Sequence, residues 1–547
     1  MFIDARRLPN ETVVETEVCI VGAGAAGISL AREFIRHPFR VCLLEAGGLK
    51  FDDETQALYR GENVGLPYEA LHAARFRYFG GSTKGWGGWC KPLDHSDFER
   101  RDWVPHSGWP ITRSDLDPYY ERAQEVCHLG PFDYDIDRWQ SNLGNPPLGV
   151  LPLADRRVVT EMCQLSPPTH FGKAYREEIR RADNLRAYLY TNAVRIETTE
   201  TASVVTGVRA RTLGGNELIV RGRIFILATG GIENARLLLL SNQVHAAGLG
   251  NRHDLVGRFF MDHPCLRVGN IVFSDGDIST DFYDPFYKFR KRARAKRAVY
   301  HRTLLAGSVV LAEQVQRNER LLNYEAWIVS MYRGDESRGM ESLRRLYLAM
   351  RGKAMLAPKL QDVSNIVADF GNVCSALYGR FLRPKRLVQR YQLVNIIEPD
   401  PDPESRVTLS SERDRLGLNC ARLNWRVGPL PRRTLSRAQE ILNEELARAG
   451  LGRLENQFVE DDDGTWLSLL RWVWHHMGTT RMHDDPKQGV VDVDCRVHGI
   501  SNLFIAGSSV FPTAGKDMPT LTIVALALRL ADHVKRLVAA GEVVGEA

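Results

Sequence analysis

Apolar positions in this chain fall into short runs broken by polar turns, and the period of each run predicts its element. Residues 18–21 are uniformly apolar, as a strand buried on both faces of a parallel sheet requires. Residues 28–35 then hold a helical period, and 40–44 form a second buried run that ends at Glu45. The same strand–turn–helix order returns at 222–241, GRIFILATGGIENARLLLLS, where Gly230-Gly231 turns the chain into an amphipathic helix from Ile232. Residues 107–122, SGWPITRSDLDPYYER, predict a turn and a capped helix. Farther on, 396–418 alternate and turn like antiparallel strands, with Arg406-Val407-Thr408-Leu409 as one of them. The pattern is α/β, a parallel unit joined to a region with antiparallel strands.

Composition narrows the class without choosing a chemistry. At 547 residues, the chain is too long for one core and predicts two or three domains. Its 44% hydrophobic and 25% charged residues exclude disordered, collagen-like and coiled-coil classes. No run approaches the roughly 18 to 20 apolar residues that a spanning helix needs. A net charge of +5 is too mild over this length to argue for nucleic acid. The first residues are charged and lack an apolar signal region, and nothing apolar follows Arg6-Arg7. Nine cysteines are scattered without C-x-x-C spacing, against a disulfide framework or a zinc site, so no metal is expected. A cytoplasmic protein with reduced thiols is the expectation.

The first chemistry lies in EVCIVGAGAAGISLAREFIRHPFRVCLLEAGG (residues 17–48). Gly22 allows a tight turn, Gly24 lets backbone approach a pyrophosphate, and Gly27 permits helix-on-strand packing. Phosphates then sit at a helix N-terminus, and Glu45 accepts from a ribose diol. An acid at that position disfavours a 2′-phosphate; FAD and NAD both remain open on these residues alone.

Three further segments add to this: GGSTKGWGGWCKPL at 80–93, the Ala-Thr-Gly strand end at 228–230, and residues 471–534. The last contains His475-His476-Met477-Gly478-Thr479, Ser509-Val510-Phe511-Pro512 and Pro519-Thr520-Leu521-Thr522. In this order the chain resembles the glucose–methanol–choline (GMC) flavoprotein oxidoreductases, with pyranose-oxidase-like features, over nearly its whole length. The resemblance implies a Rossmann-type FAD-binding domain (1–264 and 485–547) and an α+β substrate-binding domain with an antiparallel sheet (265–484). Gly22, Gly24, Gly27 and Glu45 would hold the ADP part, and Val194 would meet the adenine. Gly80, Gly81, Ser82 and Thr83 would run along the pyrophosphate and ring, with Ala228 and Gly230 beside them. Gly507-Ser508 stands where the family usually has Asp-Ala, and Pro519 and Thr520 would begin the C-terminal helix near the flavin.

The implied reaction oxidises an alcohol (CH–OH) on a sugar, glycoside or other polyol. The hydride passes to flavin N5, and His475 takes the hydroxyl proton; His476 is its neighbour in register. Met518 stands where the family carries His or Asn, and a thioether donates no hydrogen bond. Either Asp517 or Lys516 replaces the missing partner, or Met518 packs over the flavin and His475 works with less help. Gly85 precedes Trp86 where pyranose-oxidase-like relatives have a histidine, so FAD is expected to be non-covalent. His170 and Glu398 are further candidates for the substrate side. Rivals are a non-redox lyase that keeps FAD as structure and an inactive flavin-binding protein. The electron acceptor is oxygen, a quinone or another carrier.

Residues 281–390 hold 22 Lys or Arg against 10 Asp or Glu. Three readings are open for this stretch: a solvated, subunit-contacting insertion; a basic amphipathic surface in peripheral contact with anionic lipid, where a membrane quinone could reoxidise the flavin; and, last, a contact with nucleic acid.

Overall fold

The structure, a computed structural model, describes all residues except 144–147, 155, 168, 277, 285–302, 351–358, 383–384, 461–464 and 542–547. The basic run at 288–297 and most of the acidic run at 460–463 therefore lie outside the described residues.

A six-stranded parallel sheet runs in the order Phe2–Asp4, Leu185–Leu189, Val41–Leu44, Val18–Val21, Ile224–Leu227, Leu503–Ile505. Its four adjacent strands from Val41–Leu44 to Leu503–Ile505 are buried at every position. That is why they read as unbroken apolar runs rather than alternation. Helix Ala25–Glu33 packs on the C-terminal helix Thr520–Ala540, which also packs against Arg113–Val126. The last of these starts as expected, with Thr112 and Asp115 capping each other's backbone amides. Because the strands are parallel, Gly22, Glu45, Ala228 and Ala506 all follow carboxyl ends at one edge, where ligands bind in such sheets.

The second large sheet is antiparallel and seven-stranded: Gly452–Glu455, Cys265–Phe273, Val388–Ile397, Tyr324–Tyr332, Leu304–Leu311, Val158–Leu165, Trp89–Cys90. Helix Pro429–Arg448 covers part of it. Two of its strands come from before residue 264, so this sheet draws on chain from both sides of the 264/265 boundary. Arg406–Arg413 pairs with Asn419–Asn424 as an antiparallel ribbon, and a four-stranded sheet contains Asn192–Thr198.

Candidate functional site

At the carboxyl edge of the parallel sheet lies a cavity of about 680 Å³. Gly22, Gly24, Glu45, Gly81, Ser82, Thr83, Ala228, Gly230, Gly507, Ser508, Pro519 and Thr520 line it, so twelve of the fifteen sequence-predicted cofactor residues converge here. The glycines have distinct tasks. Gly22 takes φ +106°, and a Cβ on Gly27 would lie 1.8 Å from the Gly22 carbonyl oxygen. A Cβ on Gly24 would meet nothing within 4 Å, so the bare backbone there faces open cavity. This is the cradle a dinucleotide pyrophosphate needs, and the residues fit FAD. Glu45 is buried, and its carboxylate accepts from the amides of Ala23 (3.0 Å) and Gly47 (2.8 Å). Burial pushes its pKa up. Gly80 does not line the cavity; its amide donates to Ala23 O (2.8 Å), which ties the second glycine loop to the first. The Val194 side chain packs with Leu58 and Leu416, and its neighbour Ala193 faces the cavity.

His475 and His476 both line the cavity. Residues 261 and 477 exchange both backbone hydrogen bonds (3.0 Å each), an antiparallel bridge that sets residue 263 opposite 475. His263 Nδ1 lies 3.0 Å from His475 Nδ1, and His263 Nε2 lies 2.8 Å from Gly515 O. A carbonyl only accepts, so His263 Nε2 carries the proton and its Nδ1 is a lone pair. Burial pushes the His263 pKa down to about 4 and keeps that ring neutral. His475 must then donate from Nδ1, which leaves its Nε2 as an unprotonated base. Burial first, then the neighbouring histidines, hold the His475 pKa well below its ordinary value.

Asp262 fixes the backbone beside that ring. Its carboxylate accepts from the amides of Trp474 (3.0 Å) and His475 (2.9 Å) and from the Tyr68 hydroxyl (2.5 Å). Trp474 sits at φ +64°, a strained position for a tryptophan that these bonds maintain. Asp262 and His263 escaped the sequence reading. Their only signal was a titratable pair directly behind the apolar Phe259-Phe260-Met261, with nothing to name a partner.

Met518 lines the cavity, but Asp517 does not. The Asp517 carboxylate is buried against Lys91 Nζ (3.1 Å) and Lys516 Nζ (3.4 Å). Both lysines also pair with Asp94 and Glu161. The expectation that Asp517 or Lys516 reaches the substrate is therefore corrected: two buried ammonium groups need carboxylates, and that demand turns both side chains away. Glu398 is corrected likewise. It is fully buried in a bidentate pair with Arg101 (2.6 and 2.8 Å) and lies off the cavity. His170 does not line the cavity either.

Residues 17–246 match the FAD dependent oxidoreductase family model and 401–527 match the GMC oxidoreductase model. Fructose dehydrogenase large subunit of Gluconobacter japonicus is 23% identical over 96% of this chain and 99% of its own. 2-Methyl-1,2-propanediol dehydrogenase of Mycolicibacterium austroafricanum is also 23% identical, over 95% of each chain. Formate oxidase of Aspergillus oryzae RIB40 shares the fold, with TM-score 0.53 and 18% identity, covering 97% of this chain and 99% of that one. With its dinucleotide cradle, its paired sheets and both family models in chain order, this chain carries an FAD dependent oxidoreductase domain followed by a GMC oxidoreductase segment, and it is an FAD-dependent oxidoreductase.

Proposed function

We propose that this enzyme oxidises a carbinol carbon of a sugar, glycoside or other polyol to a carbonyl, with His475 as the base and FAD held non-covalently. The observation that carries the reading is the ring pair: His263 fixes the tautomer of His475, and Nε2 is left as its one free lone pair. FAD, when bound, supplies the two-electron acceptor for the carbinol hydride. The chain's own part is to take the hydroxyl proton. A carbinol is a poor hydride donor until that proton leaves, and a neutral imidazole in the cavity wall accepts it. The imidazolium so formed keeps its Nδ1–H on His263, a neutral acceptor where other enzymes place a carboxylate. Met518 adds no donor and contributes apolar wall. Gly85 stands before Trp86, and the histidines lining the cavity among the described residues are His475 and His476, which supports non-covalent attachment. The polyol class rests on the pyranose-oxidase-like loop and on relatives named for fructose and a 1,2-diol.

Anaerobic stopped-flow with a polyol panel tests this. His475→Ala should slow flavin reduction by about 10² to 10⁴ with FAD still bound, the usual weight of a general base. His476 packs near Tyr68 and Phe260, and His476→Ala should lose far less. A larger loss in His476→Ala would overturn the assignment. A lyase or an inactive flavin protein would leave the flavin oxidised with every polyol.

A further inference from the structure

Helices Leu360–Ala368 and Phe370–Leu382 are inside out. In the first, Asp362 is buried, accepting from Arg345, while Leu360, Val363 and Val367 face solvent. In the second, Val373, Ala376 and Gly379 pack inward, and Phe370, Tyr378, Phe381 and Leu382 are exposed. Leu360 is 92% exposed, Val367 70% and Leu382 67%. With Tyr347 and Leu387, the stretch 347–387 holds nine of the 19 large hydrophobic side chains exposed among the described residues. Isolated surface apolar groups need no explanation, but a cluster covering two helix faces does.

Charge says what covers it. Residues 335–390 contain 11 Lys or Arg and 5 Asp or Glu, a net +6 in a chain of +5, so the remainder is net negative. Arg345, Arg380 and Arg390 are paired with Asp362, Asp335 and Glu336 within the stretch. A second copy seated face to face would set two net-positive stretches against each other. An anionic bilayer offers both complements at once, headgroup phosphates for the basic residues and the acyl boundary for the apolar stripe. At 9 and 13 residues, the helices are too short to span a membrane. They suit lying in its plane.

We propose that these two helices dock the enzyme on the surface of an anionic lipid bilayer. The first of them is joined to the cavity, since Arg345 both lines the cavity and holds Asp362 at 2.6 Å. Docking is independent of the reaction proposed above.

The test is flotation of the FAD-loaded full chain with vesicles of phosphatidylcholine alone and of equal parts phosphatidylcholine and phosphatidylglycerol. The wild type should float with the anionic vesicles at least about tenfold better than with neutral ones, and added salt should weaken this. The Val367→Glu/Phe381→Ser variant should lose about tenfold or more of that binding, with unchanged flavin content and melting temperature. Leu360→Ser, at a side chain too exposed to affect folding, should lose several-fold. Failure of the wild type to float overturns the proposal, as does equal flotation of the variants. A concentration-dependent oligomer that both variants dissolve would assign the face to a second copy instead and also overturn it.

Discussion

At the scale of single residues, the two fingerprint glycines Gly24 and Gly27 predict opposite failures. Gly24→Ala adds a methyl into open cavity, so the chain should fold normally and bind FAD far more weakly. Gly27→Ala drives a methyl into the Gly22 carbonyl, and overpacking of that kind costs about 1–3 kcal/mol or more. Thermal unfolding alongside flavin titration separates them: lowered stability in the Gly27 variant, lowered affinity in the Gly24 variant. The histidine pair predicts a pH effect. A base must be neutral to act, and the depressed His475 pKa places its acid limb below the ordinary histidine range. In His263→Asp a carboxylate would accept the His475 Nδ1–H, stabilise the imidazolium and move the acid limb of kcat/KM upward. In His263→Asn an oxygen near the former Nδ1 keeps a neutral acceptor, so that variant should hold the wild-type limb and much of the rate. An unmoved limb in His263→Asp would show that the ring contact does not govern the base.

At the scale of elements, the segment 515–519 was legible as an approach to the flavin but not in its side-chain directions. Gly515 O receives His263, Asp517 joins the lysine cluster, and Met518 and Pro519 face the cavity. Asp517→Asn should therefore leave the pH profile of flavin reduction unchanged. It should instead lower the melting temperature modestly, because the buried side chain gives up its charge-assisted bonds to Lys91 and Lys516, worth about 1.5–3 kcal/mol, while Asp94 and Glu161 still pair both ammonium groups. Stopped-flow reduction across pH, together with calorimetry, reads both effects. A shifted profile with unchanged stability would return Asp517 to the substrate.

At the scale of the whole molecule, the cofactor cavity is built from chain positions between Val21 and Ile523. FAD bound there bridges segments that meet nowhere else in sequence, so a ligand that binds only the folded state should raise its stability by mass action. Acid precipitation should release yellow FAD into the supernatant, and protein stripped of flavin should melt lower, recovering when FAD is added back. Flavin that stays with the pellet would contradict non-covalent binding.

The sequence alone determined the parallel sheet, the cofactor cradle and the position of the candidate base. Each rests on a local rule: unbroken apolar runs for strands buried on both faces, fixed glycine spacing for a phosphate turn, and family motifs in order. Tertiary structure alone decided which polar side chains face the chemistry. His263 and His475 are 212 residues apart and meet through a two-residue bridge, and Lys91 claims Asp517 across 426 residues. Glu398 is claimed by Arg101 across 297. Buried charges and ring nitrogens are satisfied by whichever partner folding brings within reach, and spacing along the chain carries no record of that partner. The exposed stripe on Leu360–Ala368 was hidden for the same reason. Its apolar period is that of an ordinary core-facing helix, and only the packing of Asp362 shows which side points outward.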